Sequence, residues 1–444
     1  MYHSFKKITF LLFVTISSAA LGQQNTHSPY SLFGVGMRHY DGFADNIANG
    51  RNGVSYRYES NFTFTNPASL SALKNTAFNV ATYIDLGQFQ TSTVVQNFSN
   101  AGFNYIALGI PLKKIKGGMA FGLLPYSDVG YNNINVKDSG GIAMRNEYEG
   151  RGGLSKVNMS MGANFFKYLS LGFNYSFIFG QMDESQRKHY PGNRYMKNFA
   201  DINEVFIKGH HLDFGLQLHT NSDKGMTHVF GAMLSTNSKL KGERDRTVYT
   251  YTQIFTDDEE SFKDTLLHET GKATSITLPT ALNLSYTFGN HEKWQATAGY
   301  SKTLWSKYKN MFGDNSGFSD DNSFSAGIFF CPKPLQDIST KATMRKTYYK
   351  SIRYSAGFHH STGYINAYDN KIAETGISVG FGFPFTKLDK DPEKGNTVIT
   401  SRIFLTGEFV KRGTINNNLI QENFFRLTLG LNLGDKWFKK NLFN

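Results

Sequence analysis

The chain has 444 residues, a formal charge of +12 and a single cysteine, Cys331. One cysteine excludes a disulfide scaffold, and beyond the N-terminus no apolar run reaches the roughly 18 residues of a membrane helix. A membrane β-barrel stays open, because its strands meet lipid at only every second residue, and 43 Gly, 39 Phe and 24 Tyr with charge at only 18% suit strands, tight turns and aromatic girdles.

Lys6 and Lys7 precede an apolar run from Ile8 to Leu21, and Ala20-Leu21-Gly22 places small residues at the −3 and −1 positions of a cleavage site before Gln23. This predicts a secretory signal peptide over 1–22. The run is short of the roughly 20 residues of an anchor helix, and no cysteine stands beside the site for lipidation. Loss of the two lysines leaves +10 on the exported chain. Anionic lipid headgroups fit that balance; nucleic acid does not, since no basic run carries interleaved aromatics.

Residues 23–75 hold SPYSLFGVG, DGFADNIANG and NFTFTNPASLSALKNT with no sustained alternation, and read as a compact N-terminal segment. From Thr76 to the C-terminus, runs of alternating apolar and polar residues follow one another. About 14 can be placed, most longer than the roughly 9 to 11 residues that cross a bilayer. Near 274–288, Ile276, Leu278, Leu282, Leu284, Tyr286 and Phe288 alternate with small or polar residues; Ile377, Val379, Phe381 and Phe383 do the same, as do Phe425, Leu427, Leu429, Leu431 and Leu433. Strands of a soluble sandwich are about half this length. Short turns such as LKKIKG and HTNSDKG mostly alternate with long loops such as QIFTDDEESFKDTLLHETGK; the connections 332–350 and 386–396 are long on the side where short turns are expected. The expectation is an all-β transmembrane antiparallel barrel over 76–444, in the outer membrane. A barrel of this size is too wide for its own side chains to fill, and residues 23–75 are on the scale of a plug.

Two of the ten prolines lie well inside candidate strands, Pro125 in the third and Pro279 in the eighth; the other eight fall in the N-terminal segment, in loops or near strand ends. Proline cannot donate to a ladder, and a closed barrel has no spare edge. Each must mark a bulge, a strand outrunning its partner, or a gap. Pairing is expected to break around Pro125, Tyr126, Ser127 and Asp128, leaving a lateral opening towards lipid, with a bulge and no hole as the alternative; Pro279 marks a strand interruption.

Three patterns, in order and spacing, resemble the FadL-type outer-membrane transporters of long-chain fatty acids and other hydrophobic compounds: Asn66-Pro67-Ala68 before the first strand, Leu123-Leu124-Pro125 in the third, and Leu278-Pro279 in the eighth. The segment WQATAGYSKTLWSKYK, with Trp305 near its outer end, is similar to that family's next strand. The resemblance implies a 14-stranded barrel whose N-terminal hatch, here 23–75 with the motif Asn66, Pro67 and Ala68, plugs the lumen, and lateral exit of ligand at a kinked third strand. The family's substrate-contacting residues find no counterparts one by one, so the substrate-binding residues stay unassigned.

The remaining candidates favour structure over chemistry. Within His210-His211 and His359-His360, neighbours on a strand face opposite ways and cannot chelate together. Asp257-Asp258-Glu259-Glu260 and Asp320-Asp321 lie in outer loops where calcium or lipopolysaccharide cations are conceivable, but without EF-hand spacing. DGFADNIANG uses turn-forming residues, and Cys331 reads as a small buried group. No Ser, His and acid are fixed together, so no enzyme, metal or cofactor is expected. The sequence reading is passive uptake of a hydrophobic ligand past a hatch, in contact with outer-membrane lipid and lipopolysaccharide; the alternative is a plugged accessory subunit bound to other outer-membrane proteins.

Overall fold

The structure, a computed structural model, describes residues 26–436 except 192, 194, 222–225, 254–259, 291–292, 312, 314–316, 335–347, 368–369 and 390–396. The expected signal peptide, Asp257, Asp258 and Glu259, and most of the connections 332–350 and 386–396 lie outside the described residues.

The N-terminal segment contributes β1 (Met37–Arg38) and the short helix α1 (Ala44–Ala48). The wall runs through β2 (Thr76–Gln90), β3 (Val95–Leu112), β4 (Gly117–Ser139), β5 (Ile142–Phe166), β6 (Leu169–His189), β7 (Asn198–Asn221), β8 (Met226–Ser235), β9 (Ser238–Gln253), β10 (Glu260–Leu278), β11 (Ala281–Asn290), β12 (Trp294–Thr303), β13 (Asp321–Phe330) and β14 (Arg353–Ser361). After a small outer hairpin of β15 (Asn366–Ala367) and β16 (Asn370–Lys371), it ends with β17 (Glu374–Asp389), β18 (Thr397–Arg412) and β19 (Gln421–Asp435). Pairing is antiparallel throughout, and β19 returns to β2 from Gln421↔Gln90 to Asp435↔Thr76, closing the sheet. With β8 and β9 as one broken crossing, and β10 and β11 as another, the wall has 14 strands, the fold expected from the sequence.

The alternation explains which face meets what. On β19, Phe425, Leu427, Leu429 and Leu433 are exposed outward, while Thr428 and Asn432 are buried inward; β11 and β17 repeat the arrangement. Lipid accepts only the apolar face. The polar face meets residues 26–75, which fold inside the lumen.

The two broken crossings kink together. Strand eight stops at Leu278 and resumes at Ala281, so Pro279 lies in a two-residue interruption, and Asn237, in the gap of its neighbour, donates from Nδ2 to the Leu278 carbonyl at 3.0 Å. Above this level β4 to β7, β9 and β10 rise past the other strands: β4 to β7 have 21 to 25 residues, against 10 in β12 and in β13. Pro384, placed near a strand end by the sequence, lies inside β17, because β17 and β18 outrun β14, whose ladder stops at Arg353↔Gly382. On that side the proline has no ladder to interrupt.

Candidate functional site

The lower end of the plug is seated by Asn66, Pro67 and Ala68. Asn66 caps the 3-10 turn Pro67–Ala72, its Oδ1 accepting from the Ala68 amide at 3.1 Å. Its Nδ2 donates to the Val54 carbonyl at 2.8 Å and to the wall carbonyls of Leu216 at 3.1 Å and Ala232 at 3.3 Å. Opposite stands a cross-strand row of glycines, Gly162↔Gly172 and Gly172↔Gly215. A Cβ at any of the three would run into the backbone of Pro67 or the side chains of Asn66 and Pro67. Nearby Arg57 is held by neutral acceptors, Ser71, Ser170, Gln217 and Asn164, and burial draws its guanidinium down to about 10. It remains a cation at neutral pH.

Higher up, the plug is held by ion pairs. Arg51 donates from Nε and Nη2 to both oxygens of Glu408, at 3.0 and 2.9 Å, and from Nη1 to Glu374 at 2.7 Å. Arg412 joins Glu374 to Glu422, at 2.6 and 2.7 Å, and Ser28 of the plug donates to Glu422. Lys156 of β5 pairs with Asp41 at 2.7 Å. Inside α1, burial raises the Asp45 carboxyl, opposed by the hydroxyl of Tyr56 that donates to it. Nothing in the sequence marks Arg51, since its partners lie more than 300 positions away.

The third strand behaves differently on its two sides. Towards β5 the ladder continues past Pro125↔Ser155 with a bulge that skips Tyr126 and resumes at Ser127↔Leu154. Towards β3 it ends at Ile106↔Leu123, although β3 continues up to Val95 and β4 up to Ser139. The plug occupies the wedge between them. Met37 and Arg38 pair with Asp128 and Ser127, the His39 amide donates to the Tyr126 carbonyl at 3.0 Å, and the Gly130 amide donates to Ser31 Oγ at 3.0 Å. His27 bonds Asn100 of β3 across the wedge. Tyr126, Ser127 and Asp128 are consequently buried.

Beside the wedge lie two cavities, of about 310 and 260 Å³, both bordered by Arg38, His39, Tyr40, Arg51 and Glu374. Their lining is mixed, with ion pairs next to Tyr83, Phe98, Tyr364 and Phe424 in the larger one. An apolar cluster gathers around Trp305, which stacks on Tyr364 at 3.9 Å and meets Phe318 edge-on, and Tyr126, Val129, Leu154, Ile178 and Leu278 pack in the same cluster. Trp305 was legible near the outer end of the ninth strand, but its ring partners Phe318 and Tyr364 come from later connections. Trp305→Ala should cost about 3 to 5 kcal/mol by removing this fully buried ring; thermal unfolding in detergent would read the loss, and Leu282→Ala on the lipid face should cost much less.

The other candidates are dispersed. His210 stacks on Tyr175 outside the wall, whereas His211 pairs with Asp213 at 3.0 Å inside; His359 meets Glu374 at 3.3 Å, and His360 bonds Thr375. Among the described residues no group of three or more His, Cys, Asp or Glu could hold a metal ion. Asp321 is a turn acceptor for Ser361, Gly363 and Ser323, and Asp320 accepts from the Ser306 amide. Cys331 is buried at the end of β13.

Comparison with known proteins gives a family and a fold. The sequence profile of the BamG family matches residues 4–444. No curated protein matches the chain. Solved structures that share the fold include a FadL homologue of Pseudomonas aeruginosa, 11% identical, with 89% of this chain and 98% of that one covered at a TM-score of 0.54. The toluene transporter TodX of Pseudomonas putida is 12% identical over 90% of this chain and 99% of its own, TM-score 0.51. The toluene transporter TbuX of Ralstonia pickettii is 11% identical over 89% and 99%, TM-score 0.55. The likeness to FadL-type barrels that the sequence motifs suggested therefore holds at the level of the fold.

Proposed function

The chain belongs to the BamG family, and we propose that this outer-membrane barrel gives small hydrophobic molecules a passive route that ends in lateral exit between β3 and β4. The observation that carries the reading is the unfinished ladder at Ile106↔Leu123. A barrel in lipid needs its backbone groups satisfied. Here residues 26–39 help to satisfy them, and these belong to the plug rather than to the wall, so they can withdraw. In this reading Pro125, Tyr126, Ser127 and Asp128 form the exit, Asn66, Pro67 and Ala68 anchor the hatch of residues 23–75, and Pro279 lets the eighth strand bend. Two fold neighbours are named as toluene transporters, which agrees with hydrophobic cargo in general; long-chain fatty acids are the narrower expectation, drawn from the sequence motifs. Burial of apolar area at roughly 25 cal/mol per Å² drives uptake, so no cofactor, energy source or catalysis is invoked.

A second reading rests on a separate observation. The plug is tied to the wall by buried ion pairs and by glycine notches, and ion pairs border both cavities. A plug so fixed suits an accessory subunit of a larger outer-membrane complex, with the outward rise of β4 to β7, β9 and β10 as its contact surface.

Gentle extraction followed by mass spectrometry separates the two. Copurified hydrophobic ligand, with uptake into proteoliposomes, supports transport; stoichiometric partner proteins without ligand or uptake would overturn it in favour of the subunit. In either case, deletion of residues 23–75 should turn a closed barrel into one that conducts ions in planar bilayers.

A further inference from the structure

Antiparallel alternation brings the connections after β3, β5, β11 and β13 to one end of the barrel, the periplasmic end. The described residues of these connections include Lys113, Lys114, Lys116, Lys167, Lys293, Lys333 and Lys350, and no Asp or Glu.

The described residues show how this charge is presented. Lys113, Lys114, Lys116, Lys167 and Lys350 are all exposed. Beside them stand exposed apolar groups: Ile115 at 41%, Phe165 at 68%, Phe166 at 66% and Tyr349 at 59%. Lys167 lies 5.0 Å from the ring centre of Tyr168, and Lys350 lies 5.7 Å from that of Tyr349. The cations recur around the circumference, between β3 and β4, β5 and β6, β11 and β12, and β13 and β14.

We infer that this end is a collar for the anionic headgroups of phospholipids in the inner leaflet of the outer membrane. Three features select lipid over an acidic protein. The lysines form a ring, whereas a protein partner would cover one sector. Phenylalanine and tyrosine interleave with them at the level where aromatic side chains sit between hydrocarbon and headgroups. Each lysine is in a turn or next to a strand end, so its ammonium can reach the headgroup plane with its stem along apolar surface.

Native mass spectrometry of the full barrel, from micelles doped equally with phosphatidylglycerol and phosphatidylcholine, tests the collar. The wild type should retain phosphatidylglycerol in roughly tenfold preference at low salt, falling as ionic strength rises. The variant K113Q/K114Q/K116Q/K167Q should bring the ratio near parity while the barrel keeps its heat-dependent shift in gel mobility, which reports folding. A wild type without preference, or a folded variant that keeps it, would overturn the inference. So would an acidic protein that copurifies with the wild type and is lost from the variant while the lipid ratio stays unchanged. If the quadruple variant does not fold, K113Q/K114Q alone should lower the ratio severalfold, and an unchanged ratio there counts against the collar.

Discussion

Arg51→Ala should loosen the plug and open the barrel to ions. In the wild type the guanidinium satisfies both oxygens of Glu408, whose side chain is 1% exposed, and one of Glu374. Alanine leaves Glu408 with His359 at 3.5 Å and the more distant charge of Arg426. Stripping one partner from a buried pair costs about 3 to 5 kcal/mol, most of it the penalty of the stranded charge. That cost falls on the seated state of the plug, because the wall strands are already paired on both sides there. Planar-bilayer recordings should show frequent openings in Arg51→Ala where the wild type is quiet. The double variant Arg51→Ala/Glu408→Gln should be quieter than the single, because the uncompensated charge is gone. Equal conductance of the two would mean that the charge is not what holds the plug.

Gly172→Val should have the larger structural effect. A Cβ at Gly172 would lie 2.6 Å from the Pro67 carbonyl carbon and 2.7 Å from the Ala68 amide nitrogen, both backbone atoms that cannot rotate away. Overpacking in a deformable core costs about 1 to 3 kcal/mol; here the only relief is to lift the Asn66–Ala68 turn and forfeit its hydrogen bonds to the wall. Hydrogen exchange should show lost protection over residues 54–72, with the strands still protected. Leu171→Ile, one residue away on the lipid face, should leave exchange unchanged. Retained protection at 54–72 in Gly172→Val would show that the notch does not seat the plug.

The two variants touch features of unequal visibility in the sequence. Asn66-Pro67-Ala68 is local: an amide capping a turn whose first residue is proline can be read from three letters. The glycine row opposite it is not, since Gly162, Gly172 and Gly215 meet only through the registers of β5, β6 and β7. Pro125 was visible as a misfit, and the sequence placed a disturbance within a few residues of the one observed. It could not say that the β5 ladder would absorb the proline with a bulge while the β3 ladder stopped, because a residue alone does not reveal what lies on each of its edges. Pro279 announced one broken crossing, but the matching break at Asn237 carries no proline and was silent.

What the sequence determined by itself is whatever a period of two and a few turn residues encode: the membrane-crossing strands, their number and inward faces, closure into a barrel, and a leading segment without strand character. Only the tertiary structure decided that this segment fills the lumen as a substitute neighbour for β4, that Arg51 reaches Glu374 and Glu408, and that Trp305 stacks on Tyr364. Alternation is written between residues one and two positions apart, whereas ion pairs, notches and ring stacks join residues tens to hundreds of positions apart, whose meeting depends on strand register and closure.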